Sequence, residues 1–187
     1  MGVLNPTVLE GLDVSHAMCA PACALFDLPD VHVLTIERHR SSFTLVVETV
    51  PSLVGCPACG VLAVGHGRVA VRLHDLPCAG VPVRVVWRKR RYRCHETACE
   101  VTTFSEVHEL AAPRAKLTTR AIAWAVGQLR CHDIAVSALA EMLGVAWNTV
   151  WDAITPVIEA QLAAEDRLAG VDALGVDEHV WRHVGPP

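Results

Sequence analysis

Four cysteines carry the clearest chemistry in this chain. Cys56 and Cys59 are spaced C-x2-C, 34 residues follow, and Cys94 and Cys99 form C-x4-C. Zinc takes four thiolates in a tetrahedron, and a two-residue gap lets one tight turn present two sulfurs to one ion. Gly60 follows the second sulfur, where the chain commonly needs a backbone conformation that a Cβ disfavours. The spacing predicts a structural Zn2+ held by Cys56, Cys59, Cys94 and Cys99, against the alternative of four ordinary thiols. Four thiolates leave no open position, which argues against a catalytic ion. His66 and His95 lie close in sequence, but a hydrogen-bonding or surface role suits each better. Cys19, Cys23, Cys78 and Cys131 form no second matched pair and read as unliganded thiols.

For two cysteine pairs so far apart to meet, the chain between them must double back. Val69, Val71 and Leu73 alternate with Ala70, Arg72 and His74, and residues 77–80 offer a turn. Val81, Val83, Val85 and Trp87 then share one face, with Arg84 and Arg88 on the other. This is the pattern of a hairpin, too small to bury a sufficient core alone; zinc binding, worth about 10–16 kcal/mol in small modules, decides whether it folds. Before it, Val31–Arg38 and Phe43–Thr49 are rich in β-branched residues around Arg40-Ser41-Ser42 and read as a further hairpin. Residues 1–29 hold Pro6, Pro21 and Pro29 and no clean period, the mark of a loosely structured lead-in.

Six of the ten residues from Arg84 to Arg93 are basic: Arg84, Arg88, Lys89, Arg90, Arg91 and Arg93, with Trp87 and Tyr92 between them. Guanidinium groups pair with phosphate in bidentate fashion, and aromatic rings pack on sugar or base. A solvated strand face is the plainer alternative. The net charge of -4 conceals this concentration. Residues 1–37 carry five acids and no Lys or Arg; residues 38–130 carry 14 Lys or Arg against 6 acids; residues 131–187 carry 2 against 9. A basic middle in an acidic chain points to a polyanion partner.

Beyond Phe104 the pattern turns helical. Pro113 opens one stretch, Thr118 suits an N-cap, and Leu117, Ile122, Trp124, Val126 and Leu129 supply the apolar faces of a helix over 117–130. A second short helix fits Ser137 to Leu143 with Gly144 ending it. A third fits Trp147 to Ile154, after which Pro156 interrupts or restarts the helix up to about Leu168. Residues 137–154 fit a helix-turn-helix, with Ala140 at the close crossing and Val145, Val150 and Ile154 facing the core. Trp147, Asn148, Thr149 and Asp152 then point outward, Asn148 and Thr149 toward base edges. This recognition helix, from Trp147 on, carries no Lys or Arg, so phosphate contacts fall to Arg114, Lys116, Arg120 and Arg130. A plain three-helix packing or dimerisation unit is the alternative.

No apolar run approaches the length of a membrane span, and no basic region precedes an apolar stretch at the start, so no membrane partner is expected. Cytoplasmic residence follows, a compartment in which paired cysteines hold metal rather than disulfides.

Together these residues resemble the N-terminal half of ISL-three family insertion-sequence transposases, from about Val31 to His183. The resemblance rests on CPACGVLAVGHGRVAVRLHDLPCAGVPVRVVWRKRRYRC, on Cys99 with Thr103-Phe104-Ser105-Glu106, on the helix-turn-helix, and on GVDEHVWRH. It implies a zinc ribbon, a DNA-binding helix-turn-helix and a ribonuclease-H-like domain of the DDE type. Asp177 falls where the first catalytic acid of that set would sit. Such enzymes use metal ions held by three carboxylates, with Mg2+ expected only for a full-length enzyme. Glu178 points to the opposite face of a strand, and a metal pair of His179 and His183 would need a helix there. The chain as given is expected to be inactive alone.

The expected fold class is α+β: a lead-in over 1–29, a β-hairpin and zinc ribbon over 30–110, a helix-turn-helix unit over 113–155, a linker helix over 156–170, and the start of a catalytic domain over 171–187. The expected function is binding of double-stranded DNA at transposon ends, with a homodimer as an option. A free-standing DNA-binding regulator and a zinc-ribbon interaction module are the alternatives.

Overall fold

The computed structural model describes residues 30–164 continuously, with Cys23, Phe26 and Leu28 before them and Ala169, Gly170, Asp172, Ala173 and Gly175 after. From residue 30 to residue 164, five strands precede three helices: β1 Val31–Arg38, β2 Phe43–Thr49, β3 Val64–Cys78, β4 Val81–Arg93, β5 Thr103–Ser105, α1 Thr119–His132, α2 Val136–Leu143 and α3 Trp147–Ala164. The architecture is α+β, with the helices gathered after a β-rich region.

β3 and β4 are the long antiparallel hairpin that the alternation predicts. Their turn holds Ala79 and Gly80, both at positive φ, the signature of the two-residue turn whose twist matches that of the strands it joins. β1 and β2 also form an antiparallel hairpin. They are not a separate piece, however. β2 lies parallel to β4, from Phe43 opposite Val83 to Val47 opposite Trp87, so the sheet order is β1-β2-β4-β3. β5 takes over that same edge of β4 from Arg91 to Arg93.

One face of this sheet buries Val31, Val33, Leu45, Val47, Leu73, Val83, Val85 and Trp87 against Phe26, Leu28, Leu110 and Ala111. The helices build a second core from Leu117, Ala121, Ala125, Val126, Leu139, Leu143, Val150 and Ile154. An extended segment joins the two. His74 donates its backbone N–H to Lys116 O at 2.8 Å and accepts from Thr118 N at 2.9 Å, so residues 116–118 run along the edge of β3. This pairing is why the first helix starts later than its apolar pattern suggests. Leu117 is held in a β-bridge with His74, and Thr118 caps α1 by accepting from Ala121 N at 3.2 Å.

α2 ends at Gly144, where φ is +67° and an added Cβ would lie 2.9 Å from Pro82 Cβ. Both the left-handed backbone and the close approach demand glycine there. Pro156 does not interrupt the last helix. α3 runs through it to Ala164, so the expected division at 155/156 falls inside one element. Pro156 is exposed, and the N–H it lacks is missing on the solvent side of the helix.

Candidate metal centre and nucleic-acid interface

The cysteine pairs sit at the end of the β3–β4 hairpin opposite its turn. Gly60, at φ +74°, closes the first knuckle, where Gly60 N donates to Cys56 O at 2.9 Å and Cys56 N to Val61 O at 2.8 Å. In the second, Cys94 N donates to Thr102 O and Cys99 N to Glu96 O. The knuckles bring Cys56 Sγ to 3.7 Å from Cys99 Sγ and Cys59 Sγ to 3.5 Å from Cys94 Sγ. All four sulfurs lie within 4.8 Å of one another. Sulfurs at about 2.3 Å from a tetrahedral zinc stand about 3.8 Å apart, so the donor set fits the ion in both chemistry and size.

The thiol acidities show why a cation belongs there. Backbone amides at Cys59 and Ala58 draw the Cys56 thiol down from 9.0 to about 7. At Cys99 the Val101 amide also pulls downward, but burial and the Cys59 and Cys56 thiols outweigh it and push the group up to about 12. Cys94 is raised in the same way, the pull of the Glu96 amide being overcome by burial and the same two thiols. The Cys56 thiolate forms readily; Cys94 and Cys99 need a compensating positive charge. His66 and His95 are exposed and stand outside the four-sulfur cluster. Cys23 packs on β1, donating to Val31 O at 3.4 Å, while Cys78 sits at the hairpin turn and Cys131 on the surface of α1. Cys19 lies outside the described residues.

The basic run divides between the two faces of β4. Across the hairpin, His74 stands opposite Arg84, Arg72 opposite Val86, Ala70 opposite Arg88 and Arg68 opposite Arg90. Cross-strand partners share a face, so Arg84, Arg88 and Arg90 lie with Arg68 and Arg72 on the side away from the apolar core. Lys89, Arg91 and Arg93 alternate to the other side. Lys89 Nζ lies 4.5 Å from the centre of the Trp87 ring, and Arg91 Nη2 donates to Thr103 Oγ1 at 3.4 Å.

Glu48, nearly buried on β2, gathers three of the arginines: Arg68 Nε at 2.9 Å, Arg88 Nε at 3.1 Å and Arg90 Nη2 at 3.4 Å. Arg68 and Arg88 remain about half exposed, whereas Arg90 is 15% exposed and also donates to Thr49 O at 2.6 Å and Thr49 Oγ1 at 3.0 Å. Arg90 is a brace between β2 and β4.

In the helical unit, Arg114 and Lys116 are exposed and line a cleft of about 290 Å³ with Thr149 and Asp152 of α3. Asn148 is exposed on the first turn of α3, and Thr149 is half-buried. Arg130 Nη1 donates to Gln161 Oε1 at 2.7 Å. Arg120 points elsewhere: its Nε donates to Asp75 Oδ1 at 2.9 Å, its Nη2 to Asp75 Oδ2 and its Nη1 to Phe26 O. Asp75 is fully buried and also accepts from Thr118 Oγ1 at 2.6 Å.

Two family models match this arrangement. The zinc-finger of transposase IS204/IS1001/IS1096/IS1165 matches residues 52–99, and the helix-turn-helix domain of transposase family ISL3 matches residues 106–158. The chain belongs to the ISL3 family of transposases. No curated protein and no solved structure matches it.

As an ISL3-family chain it carries a zinc ribbon and a helix-turn-helix, and both domains point to DNA. Its Thr103-Phe104-Ser105-Glu106 segment has a structural task. Phe104 stacks on Tyr92 with ring centres 5.7 Å apart. Glu106 accepts from Arg90 N at 2.7 Å and from Thr49 Oγ1 at 2.6 Å, tying the segment to both β4 and β2. Sequence reasoning missed Glu48 and Asp75, and it named Glu106 in the family motif without a role. The only signal for them was that acids are scarce, six against 14 cations, between residues 38 and 130. Asp177, with Glu178, His179 and His183, lies outside the described residues, as does most of the span 171–187 expected to start a ribonuclease-H-like domain. Among the described residues, no helix is long and apolar enough to cross a membrane.

Proposed function

We propose that this chain binds double-stranded DNA at transposon ends, using the outer face of the β3–β4 hairpin for phosphate and the helix-turn-helix for bases. The observation that supports it best is the placement of Arg68, Arg72, Arg84 and Arg88 on one exposed face. The four-cysteine cluster stands at one end of that face and the helical unit at the other. Zn2+ held by Cys56, Cys59, Cys94 and Cys99 supplies rigidity, fixing the open end of a hairpin whose charged surface would otherwise splay. Exposed Arg114 and Lys116 beside α3 extend the positive surface to the helices. In this reading Asp177 is the first acid of the family's catalytic set, for which Mg2+ would be required.

The test is fluorescence anisotropy with duplexes copied from the DNA flanking the gene and with scrambled controls. Affinity is expected to fall linearly on a log–log plot against salt, by about 0.9 per phosphate neutralised, and to favour the flanking sequences. Binding that ignores salt, or equal affinity for every duplex, would overturn respectively the phosphate face and the recognition of ends.

A further inference from the structure

The first turns of α3 carry an aromatic plate that neither core absorbs. Trp147 and Trp151 stand four residues apart on the helix, so their side chains meet on one flank. Their rings stack with centres 5.3 Å apart and planes 13° from parallel, and the two residues are 46% and 43% exposed. Two indoles left half in water, in a chain with only five tryptophans, form an unusual concentration of apolar surface.

We propose that this plate reads thymine methyl groups in the DNA major groove. A recognition helix enters that groove by its N-terminal turn, and Trp147 and Trp151 occupy the first two turns of the second helix of this helix-turn-helix. The thymine C5-methyl is the one apolar group that base edges present in the groove. α3 contains no Lys or Arg with which to read guanine. Its exposed polar residue at the same turn is Asn148, the side-chain type that pairs with adenine N6 and N7, so an indole and an amide would together favour A·T pairs. Arg114 and Lys116, across the cleft from Thr149 and Asp152, place positive charge beside this end of α3 for the flanking phosphates. The inference rests on the DNA-binding reading above and adds what the helix recognises.

The experiment uses the full chain with zinc. The tightest duplex is selected from a pool randomised over about 20 base pairs, then remade with deoxyuridine for every thymidine, which removes the methyl and keeps the pairing. Wild-type protein is expected to bind the thymidine duplex more tightly, by roughly fourfold for each methyl buried. Trp147→Ala and Trp151→Ala are expected to bring that ratio close to one, with the salt slope unchanged. Equal wild-type affinity for the two duplexes overturns the proposal without any variant. So does a ratio that survives both substitutions, including the case in which sedimentation shows them dissociating a dimer, since the plate would then belong to a second copy. Absence of salt-dependent binding to either duplex is a different result: it removes the DNA-binding reading itself and this inference with it.

Discussion

Asp75, on β3, and Arg120, in the first turn of α1, lock the sheet to the helices. The guanidinium faces the carboxylate edge to edge, with Nε 2.9 Å from Oδ1 and Nη2 on Oδ2, and Thr118 holds Oδ1 as well. Asp75 is fully buried, so removing its partner leaves a charge that water cannot reach. Asp75→Ala and Arg120→Ala are each expected to cost about 3–5 kcal/mol in urea unfolding, the range for breaking a buried pair from one side. The double variant is expected to cost clearly less than the sum of the two. Additive losses would show that the pair is not acting as a unit. Arg120→Ala should weaken any DNA binding only in proportion to the fraction unfolded, with the salt slope of the folded protein intact.

The cysteine cluster predicts one zinc per chain in reduced protein, measured by elemental analysis, and its loss in Cys94→Ser. Because the helical core is built from its own residues, Leu117 to Ile154, chelation is expected to release the knuckles and the open end of β3–β4 while helical circular dichroism persists. Loss of the whole helical signal on chelation would mean that the two cores fold as one unit held by the metal.

Burial along the outer face of β4 separates roles that one basic run merges, for Arg84 is exposed while Arg90 is held against Thr49 and Glu48. Arg84→Ala is expected to leave stability nearly unchanged and to lower the salt slope of DNA binding by about 0.9. Arg90→Ala is expected to destabilise by about 1.5–3 kcal/mol through the lost bonds to Thr49 and Glu48, with little change in slope. Interchanged outcomes would assign the phosphate contact to Arg90 instead.

What could be read from sequence followed the range of each signal. Cysteine spacing, the alternation in β4, the cap at Thr118 and the stop at Gly144 are local, and each appears where its pattern placed it. β1 and β2 also match, but the parallel seam of β2 with β4 joins residues about 40 positions apart without a turn to announce it. The same distance hides the partners of the arginines. Nothing near Arg120 announces Asp75, 45 residues away, and nothing near Arg90 announces Thr49, so in the sequence both read as exposed cations. The Pro156 helix break failed for a local reason: an exposed proline can be carried by a helix already anchored through Val150 and Ile154.

His74 links the sheet to the helices in a pH-dependent way. Its Nδ1 lies 3.1 Å from Leu143 O at the end of α2, and since a carbonyl only accepts, Nδ1 carries the proton. Burial lowers the pKa from 6.5, aided by the charge of Arg84 opposite, while the Leu143 carbonyl pulls the other way and does not prevail. The unfolded chain therefore binds the extra proton more readily than the folded one, and stability falls as pH drops below 6.5. Above that value the imidazole is neutral in both states and contributes no slope. His74→Asn, which keeps an N–H within reach of Leu143, is expected to flatten this part of the stability–pH curve without abolishing folding. An unchanged curve in that variant would move the acid sensitivity to another group.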